Sequence, residues 1–279
     1  MRRVMKKTVN TFIIFSCLLL AAIYVALTYF QGVPVLNYHQ INDRDHNALT
    51  VSSSEFEAQM AYLADHGYQT ITPDELADYL QLGKPLPRKP ILITMDDGYE
   101  DNYQVAYPIL QRYQAKATIF IITDFVGRYD RYLTWEQIAQ MSAHDIDFES
   151  HTLSHVDLAT VSPTEAQKQL TASKAALEWH LGRPVNYLAY PGGEYSQQII
   201  DMTKAAGYRA AFTVHFGRDR IHSTLYTLNR IPIFGGNNHT FWHFWLRLKF
   251  TEVFTALGNF KAYLLQEGDQ RIAGLIYIP

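Results

Sequence analysis

The chain has 279 residues, 48% of them hydrophobic, with 24 basic residues against 27 acidic ones. A net charge of −3 and a pI near 6.4 argue against nucleic acid as a partner. The single cysteine, Cys17, excludes a disulfide-framed fold, so stability must come from one sizeable apolar core.

Arg2, Arg3, Lys6 and Lys7 precede an uncharged apolar stretch at residues 8–31. It is long enough to cross a bilayer, which takes roughly 20 residues, and the basic flank belongs on the cytoplasmic side. Residues 1–31 therefore read as a cytoplasmic flank with a transmembrane helix, and residues 32–279 as one extracytoplasmic domain tethered to the cell membrane. The competing reading is a cleaved signal peptide and a secreted domain.

Strands and helices alternate after that. A strand is expected at 33–38, then a helix capped by Ser53 or Ser54, with Phe56, Met60 and Leu63 at helical spacing up to Gly67. A short strand at 68–71 leads to a helix opened by Thr72, Pro73 and Glu75, the residues of a capping box. The proline-rich residues 83–90 form a connection. Next come a strand at 91–94 leading into Asp96, Asp97 and Gly98, a helix over 103–113, a strand at 117–122, a helix capped by Thr134, and a strand at 146–149. Ser162, Pro163 and Glu165 start the longest helix, which ends at Gly182. Strands at 185–190 and 208–214 flank another helix, and the last strand is expected at 228–233. The aromatic tail at 241–265 reads as a helix covering the domain, or as one that touches the membrane interface with its Trp and Phe residues.

The chemistry-bearing residues share one placement. His39, Asp96, His151 and Pro191 each follow a strand at its C-terminal end. A closed barrel gathers such ends on one rim, whereas an open sheet gathers only those at a switch point. His151 and His155 are four apart and share a face if their turn is helical. Either motif alone is weak. Together with a carboxylate they make the open ligand set of a catalytic metal site.

Thr94-Met95-Asp96-Asp97-Gly98 and His151-Thr152-x-x-His155 resemble, in order, the first two motifs of the polysaccharide deacetylases with a NodB homology domain, carbohydrate esterase family 4. The similarity runs from about residue 34 to 236. It implies an α/β fold, a distorted (β/α)7 TIM-like barrel. It also implies Asp96 as general base, and Asp97, His151 and His155 as ligands of a divalent ion, zinc foremost, with cobalt, nickel or iron also suited to these ligands. The third motif departs from the family: Ala189-Tyr190-Pro191-Gly192-Gly193 stands where Arg-x-Pro-Tyr-Gly is usual, so Ala189 cannot orient the base. The usual Leu-x-His near the C-terminal end of the domain is also missing, while Tyr38-His39 matches an N-terminal Tyr-His. Both departures resemble the branch that de-N-acetylates poly-β-1,6-N-acetylglucosamine, and they make His39 the candidate acid.

Substrate contacts are expected at the backbone near Tyr99, at Tyr190, Pro191 and Gly192, with Trp135 as a further stacking ring. Arg230 either lines the site or sits on an edge at the surface. The expected partner is an N-acetylglucosamine polysaccharide, with peptidoglycan as the alternative. A glycoside hydrolase would use Asp96 with Glu149 or Glu194 and would leave both histidines unexplained. An inactive wall-binding module is the reading that the missing arginine motivates.

Overall fold

The computed structural model describes residues 32–236 and 240–276. The membrane segment expected at 8–31 lies outside them. Among the described residues no helix is long and apolar enough to cross a membrane.

From Val33 onward the chain is one unit, built on seven parallel strands: β1 (Val35–Tyr38), β2 (Pro90–Met95), β3 (Ala117–Ile121), β4 (Ile146–Ser150), β5 (Tyr187–Ala189), β6 (Ala210–Phe216) and β7 (Leu228–Pro232). Each pairs with its neighbours in sequence, and the ring closes where Leu36 and Asn37 of β1 meet Ile231 and Pro232 of β7. The expected (β/α)7 barrel is thus observed. A short strand, Gln69–Thr70, adds to the start of β2 outside the ring.

Alternate strand residues serve two packing sets, which is why the strands read as continuous apolar runs. Leu36, Tyr38, Ile93, Met95, Ile119 and Ile121 pack outward with helix residues such as Phe56, Met60 and Leu110. Val35, Leu92, Phe120, Phe212 and Leu228 form the second set, with Leu76 and Leu80 of the covering helix. Phe120 and Phe212 touch at 5.4 Å from strands that are not neighbours, so they meet across the lumen.

Most helix starts follow local chemistry. Helix α1 (Ser53–Asp65) is capped by Ser52, one residue before the expected cap, through a bond from Glu55 N. The capping box of α2 (Pro73–Leu82) forms between Thr72 and Glu75. The helix expected over 103–113 is divided: a π-helical turn, Asn102–Ala106, precedes α3 (Tyr107–Arg112). Pro108 lacks the N–H that a regular helix would direct at Gln104, which accounts for the irregular start. Thr134 caps α4 (Trp135–Ser142), Ser162 caps α5 (Pro163–Leu181), and α6 (Gln197–Ala205) follows.

The tail is two helices rather than one, α7 (Phe241–Lys249) and α8 (Thr251–Gln266), broken at Phe250, with α9 (Gln270–Leu275) after them. Phe244 and Leu248 of α7 are buried in the core, and Phe241 and Phe244 meet Tyr62 of α1.

Candidate active site

Strand β2 delivers two adjacent carboxylates and then reverses. Asp97 has φ 75° and Gly98 φ 76°, and a Cβ on Gly98 would lie 2.6 Å from Ile121 Cδ1. The left-handed backbone favours glycine, and a side chain at this position would have to displace the Ile121 methyl group. The reversal sends Asp96 and Asp97 to different partners.

Asp96 is buried and receives a two-pronged ion pair from Arg230: Nη1 to Oδ1 and Nη2 to Oδ2, both at 2.7 Å. Asn37 Nδ2 donates to Oδ2 at 3.0 Å. Arg230 is itself fully buried, with Nε donating to the Thr213 carbonyl at 2.7 Å. It is no surface arginine. It reaches Asp96 from β7, the opposite side of the closure from β2, and occupies the role that Ala189 leaves vacant. Burial alone would raise the Asp96 carboxyl, but the guanidinium, with His151 and His39 nearby, holds it well below the usual carboxylate range.

Asp97 faces the two histidines. Its Oδ1 lies 3.4 Å from His151 Nε2 and 3.4 Å from His155 Nε2, and ligand atoms of the three residues all fall within 4.8 Å of one another. That buried Oδ1 has no hydrogen-bond partner, which is costly unless something else fills the place. His151 Nδ1 donates to the Ala189 carbonyl at 2.8 Å, leaving Nε2 as a lone pair aimed inward. An unpartnered carboxylate oxygen facing two imidazole nitrogens is a donor set that a divalent cation fits.

The segment that carries the histidines is not helical. Thr152 (φ 67°) and His155 (φ 59°) are left-handed, and the loop makes their rings converge with centroids 4.8 Å apart. Such backbone needs outside support. It comes from buried Gln169 of α5, whose Oε1 accepts from Leu153 N at 3.1 Å and Ser154 N at 2.9 Å. Nothing near the His pair in sequence points to Gln169.

His39 follows β1, with Nε2 4.0 Å from Asp96 Oδ2 and a buried Nδ1 without a partner. Burial lowers its pKa, while Asp96 and Asp97 oppose that shift. Asp101 and Asn102, which open the helical turn after β2, hold the segment that carries it. Asn102 Nδ2 donates to the His39 carbonyl at 2.9 Å, and Asp101 accepts from Ile41 N at 3.1 Å and Asn42 Nδ2 at 2.7 Å.

A family model described as polysaccharide deacetylase matches residues 83–211. YxkH of Bacillus subtilis, which carries the polysaccharide deacetylase description, is 38% identical over 204 residues, 73% of this chain and 72% of that protein. The chain belongs to the polysaccharide deacetylase family. A Staphylococcus aureus poly-β-1,6-N-acetyl-D-glucosamine N-deacetylase is 29% identical over 229 residues, 71% of this chain and 77% of that protein. The structure of the Streptococcus pyogenes deacetylase PplD in complex with acetate superposes with a TM-score of 0.70 at 30% identity, over 73% of this chain and 92% of PplD.

Several other expected contacts of this deacetylase are covered by packing. Tyr190 is completely buried, its hydroxyl donating to the Tyr226 carbonyl at 3.2 Å and its ring against Tyr195, so it cannot stack on a sugar. Burial pushes its phenol up to about 12. Pro191 is also buried; it opens the turn Pro191–Gly193, in which Gly192 is exposed with φ 64°. Trp135 is stacked on His180 at 3.7 Å. Tyr99 remains beside the site, half-buried two residues after Asp97, with its ring on Tyr132. Of the carboxylates a glycosidase would need, Glu149 is held by Arg183 and the backbone N–H groups of Asn186 and Tyr187, and Glu194 is exposed in a turn.

Proposed function

We propose that this deacetylase is metal-dependent and removes N-acetyl groups from an extracellular N-acetylglucosamine polymer of the poly-β-1,6-linked type. The buried, unpartnered Asp97 Oδ1 facing two imidazole nitrogens carries the metal reading. The S. aureus relative supports the substrate. The basic flank and apolar residues 8–31 support a single-pass membrane tether with the catalytic domain outside.

Asp97, His151 and His155 hold the ion, with zinc the first candidate. When bound it polarises the acetyl carbonyl and makes water a better nucleophile at neutral pH. Asp96 acts as general base. Arg230 engages Oδ1 once and shares Oδ2 with Asn37, so Oδ1 retains a lone pair for the water proton. The same ion pair keeps Asp96 ionised and fixed in rotation. His39 protonates the departing sugar amine. Its burial lowers the pKa, which makes the imidazolium the stronger acid. Tyr99, beside Asp97, offers its backbone N–H to the developing oxyanion.

The test is acetate release from β-1,6-linked N-acetylglucosamine oligomers, before and after chelation and zinc addition. Acetate should appear, vanish with chelator and return with zinc. Acetate release that survives exhaustive chelation would overturn the metal assignment. Release from peptidoglycan fragments alone would overturn the substrate.

A further inference from the structure

The segment from His151 to His155 carries two of the proposed metal ligands on irregular backbone, so each of its N–H groups needs an acceptor outside a helix or sheet ladder. His151 N reaches the Ile121 carbonyl at 2.8 Å. Thr152 N donates to Ser150 Oγ at 3.2 Å, and His155 N to Thr152 Oγ1 at 3.2 Å. Leu153 N and Ser154 N both end on Gln169 Oε1. Helix α5 thus holds the middle of the loop directly.

That helix carries Glu165, Gln169 and Ser173 at four-residue spacing, which puts them on one face. Gln169 and Ser173 are buried on the side of α5 that also buries Ala166, Leu170 and Leu177. A buried amide or hydroxyl is costly unless it is hydrogen-bonded, and here both are engaged by the loop. Besides accepting two backbone N–H groups, Gln169 donates from Nε2 to Ser154 Oγ and to Glu165 Oε1, each at 2.8 Å. Ser173 Oγ meets Ser150 Oγ at 2.8 Å, and that oxygen is the one that receives Thr152 N. The three ligands are held unequally. Asp97 sits on the reversal after β2, and His151 is fixed both at its backbone by Ile121 and at its ring by the Ala189 carbonyl. His155 stands at the far end of the loop, left-handed in its backbone and 38% exposed in its side chain. Whatever holds the loop therefore decides where His155 is.

We propose that Gln169, assisted by Ser173, is a positioning residue for the metal: it clamps the loop in the conformation that brings His155 to Asp97 and His151, and so sets how tightly the ion is bound. This rests on the metal reading above, and it adds that a helix which supplies no ligand controls the affinity. Without the clamp the left-handed residues relax, Asp97 and His151 stay in place, and His155 is the ligand that is lost.

The test is the zinc affinity of the metal-stripped protein, measured by competition with a chromophoric chelator, in the wild type, Gln169→Leu, Ser173→Ala and the exchange variant that combines Glu165→Gln with Gln169→Glu. Gln169→Leu keeps the volume but removes the amide, and should weaken zinc by about 10- to 100-fold, the usual cost of losing a group that orients a ligand. The exchange reverses donor and acceptor between positions 165 and 169 while keeping an oxygen for Leu153 N and Ser154 N, so it should stay within about threefold of the wild type. Ser173→Ala leaves Gln169 in place and should cost about fivefold, the worth of one hydrogen bond. Urea melts of the metal-free forms check that each variant folds. Wild-type zinc affinity in folded Gln169→Leu, or an exchange variant as weak as Gln169→Leu, overturns the clamp and leaves the metal reading standing. If Gln169→Leu does not fold, wild-type affinity in Ser173→Ala overturns it. A wild type that binds no zinc overturns the metal reading and the clamp together.

Discussion

Two buried carboxylates in this barrel, each paired with an arginine, have different surroundings. Glu149 on β4 is fully engaged: Oε1 accepts from Arg183 Nη1 at 3.1 Å, and Oε2 from Asn186 N at 2.8 Å and Tyr187 N at 2.7 Å. Arg183 also reaches Asp147 and the Phe148 carbonyl, so the cluster ties β4 to the start of β5. Asp96 is as buried as Glu149, and Arg230, unlike Arg183, is buried with it, but beside it Asp97 Oδ1 and His39 Nδ1 have no partners. A buried charge that is completely satisfied is structure. A satisfied charge next to unsatisfied ones is a place where chemistry can occur. The contrast also removes Glu149 as a glycosidase acid, since each of its oxygens already holds a donor.

The largest expected effect breaks or confirms that contrast directly. Asp96→Asn should lower kcat by about 10²- to 10⁴-fold while metal content, measured by elemental analysis, stays that of the wild type. Glu149→Gln should lower the melting temperature but leave kcat of the folded enzyme within about twofold. Equal losses of kcat in the two variants would remove the distinction.

Removing the arginines comes next. Arg230→Met leaves Asp96 buried without its counter-charge and should destabilise the fold by about 3–5 kcal/mol in urea melts. Arg183→Met should cost less, about 1–2 kcal/mol, because Arg183 is 33% exposed and Glu149 keeps two backbone donors. Arg230→Lys keeps the charge but loses the fork, so it should fall between wild type and Arg230→Met.

A third buried carboxylate sharpens the comparison through pH. Asp219 accepts from neutral donors, Asn229 N at 2.7 Å and Asn229 Nδ2 at 3.0 Å, and burial pushes it up to about 6. Its folded form therefore binds a proton more tightly than the unfolded chain does. The stability it contributes is present below about pH 4 and is lost as pH rises toward 6, by up to about 3 kcal/mol. Asp96 has the opposite sign: its folded pKa is depressed, so its contribution is present above about pH 4 and lost as pH falls through the depressed value. The urea midpoint of Asp219→Asn minus that of wild type should increase between pH 4 and 6. A flat difference would contradict the raised carboxyl.

The smallest effect concerns support rather than charge. Asn102→Ala frees the His39 carbonyl and should lower kcat about tenfold by misplacing the imidazole, with zinc affinity unaltered. A change in zinc affinity of the same size would mean that Asn102 acts on the metal loop instead.

Much of this molecule was legible one segment at a time. The alternation of strands and helices, the Thr72 and Thr134 caps, the reversal at Gly98 and the collection of strand ends on one rim follow from patterns of a few residues, because propensity and capping act at that range. Asp97, His151 and His155 were legible as a set through their motifs, although the rings converge through a loop with left-handed residues supported by Gln169 and not through a helical turn. Tyr190 read as a rim aromatic because sequence places a residue on a strand end without saying which way the closed barrel turns it. Arg230 is the clearest case. It lies 134 residues from Asp96, and Ala189 made the base look unsupported. By itself the sequence determined which residues could do chemistry and on which rim they would gather. Only the tertiary structure decided that Arg230 supports Asp96 and that Tyr190 is core, because closure of β7 onto β1 sets what faces the lumen, and no local preference encodes that.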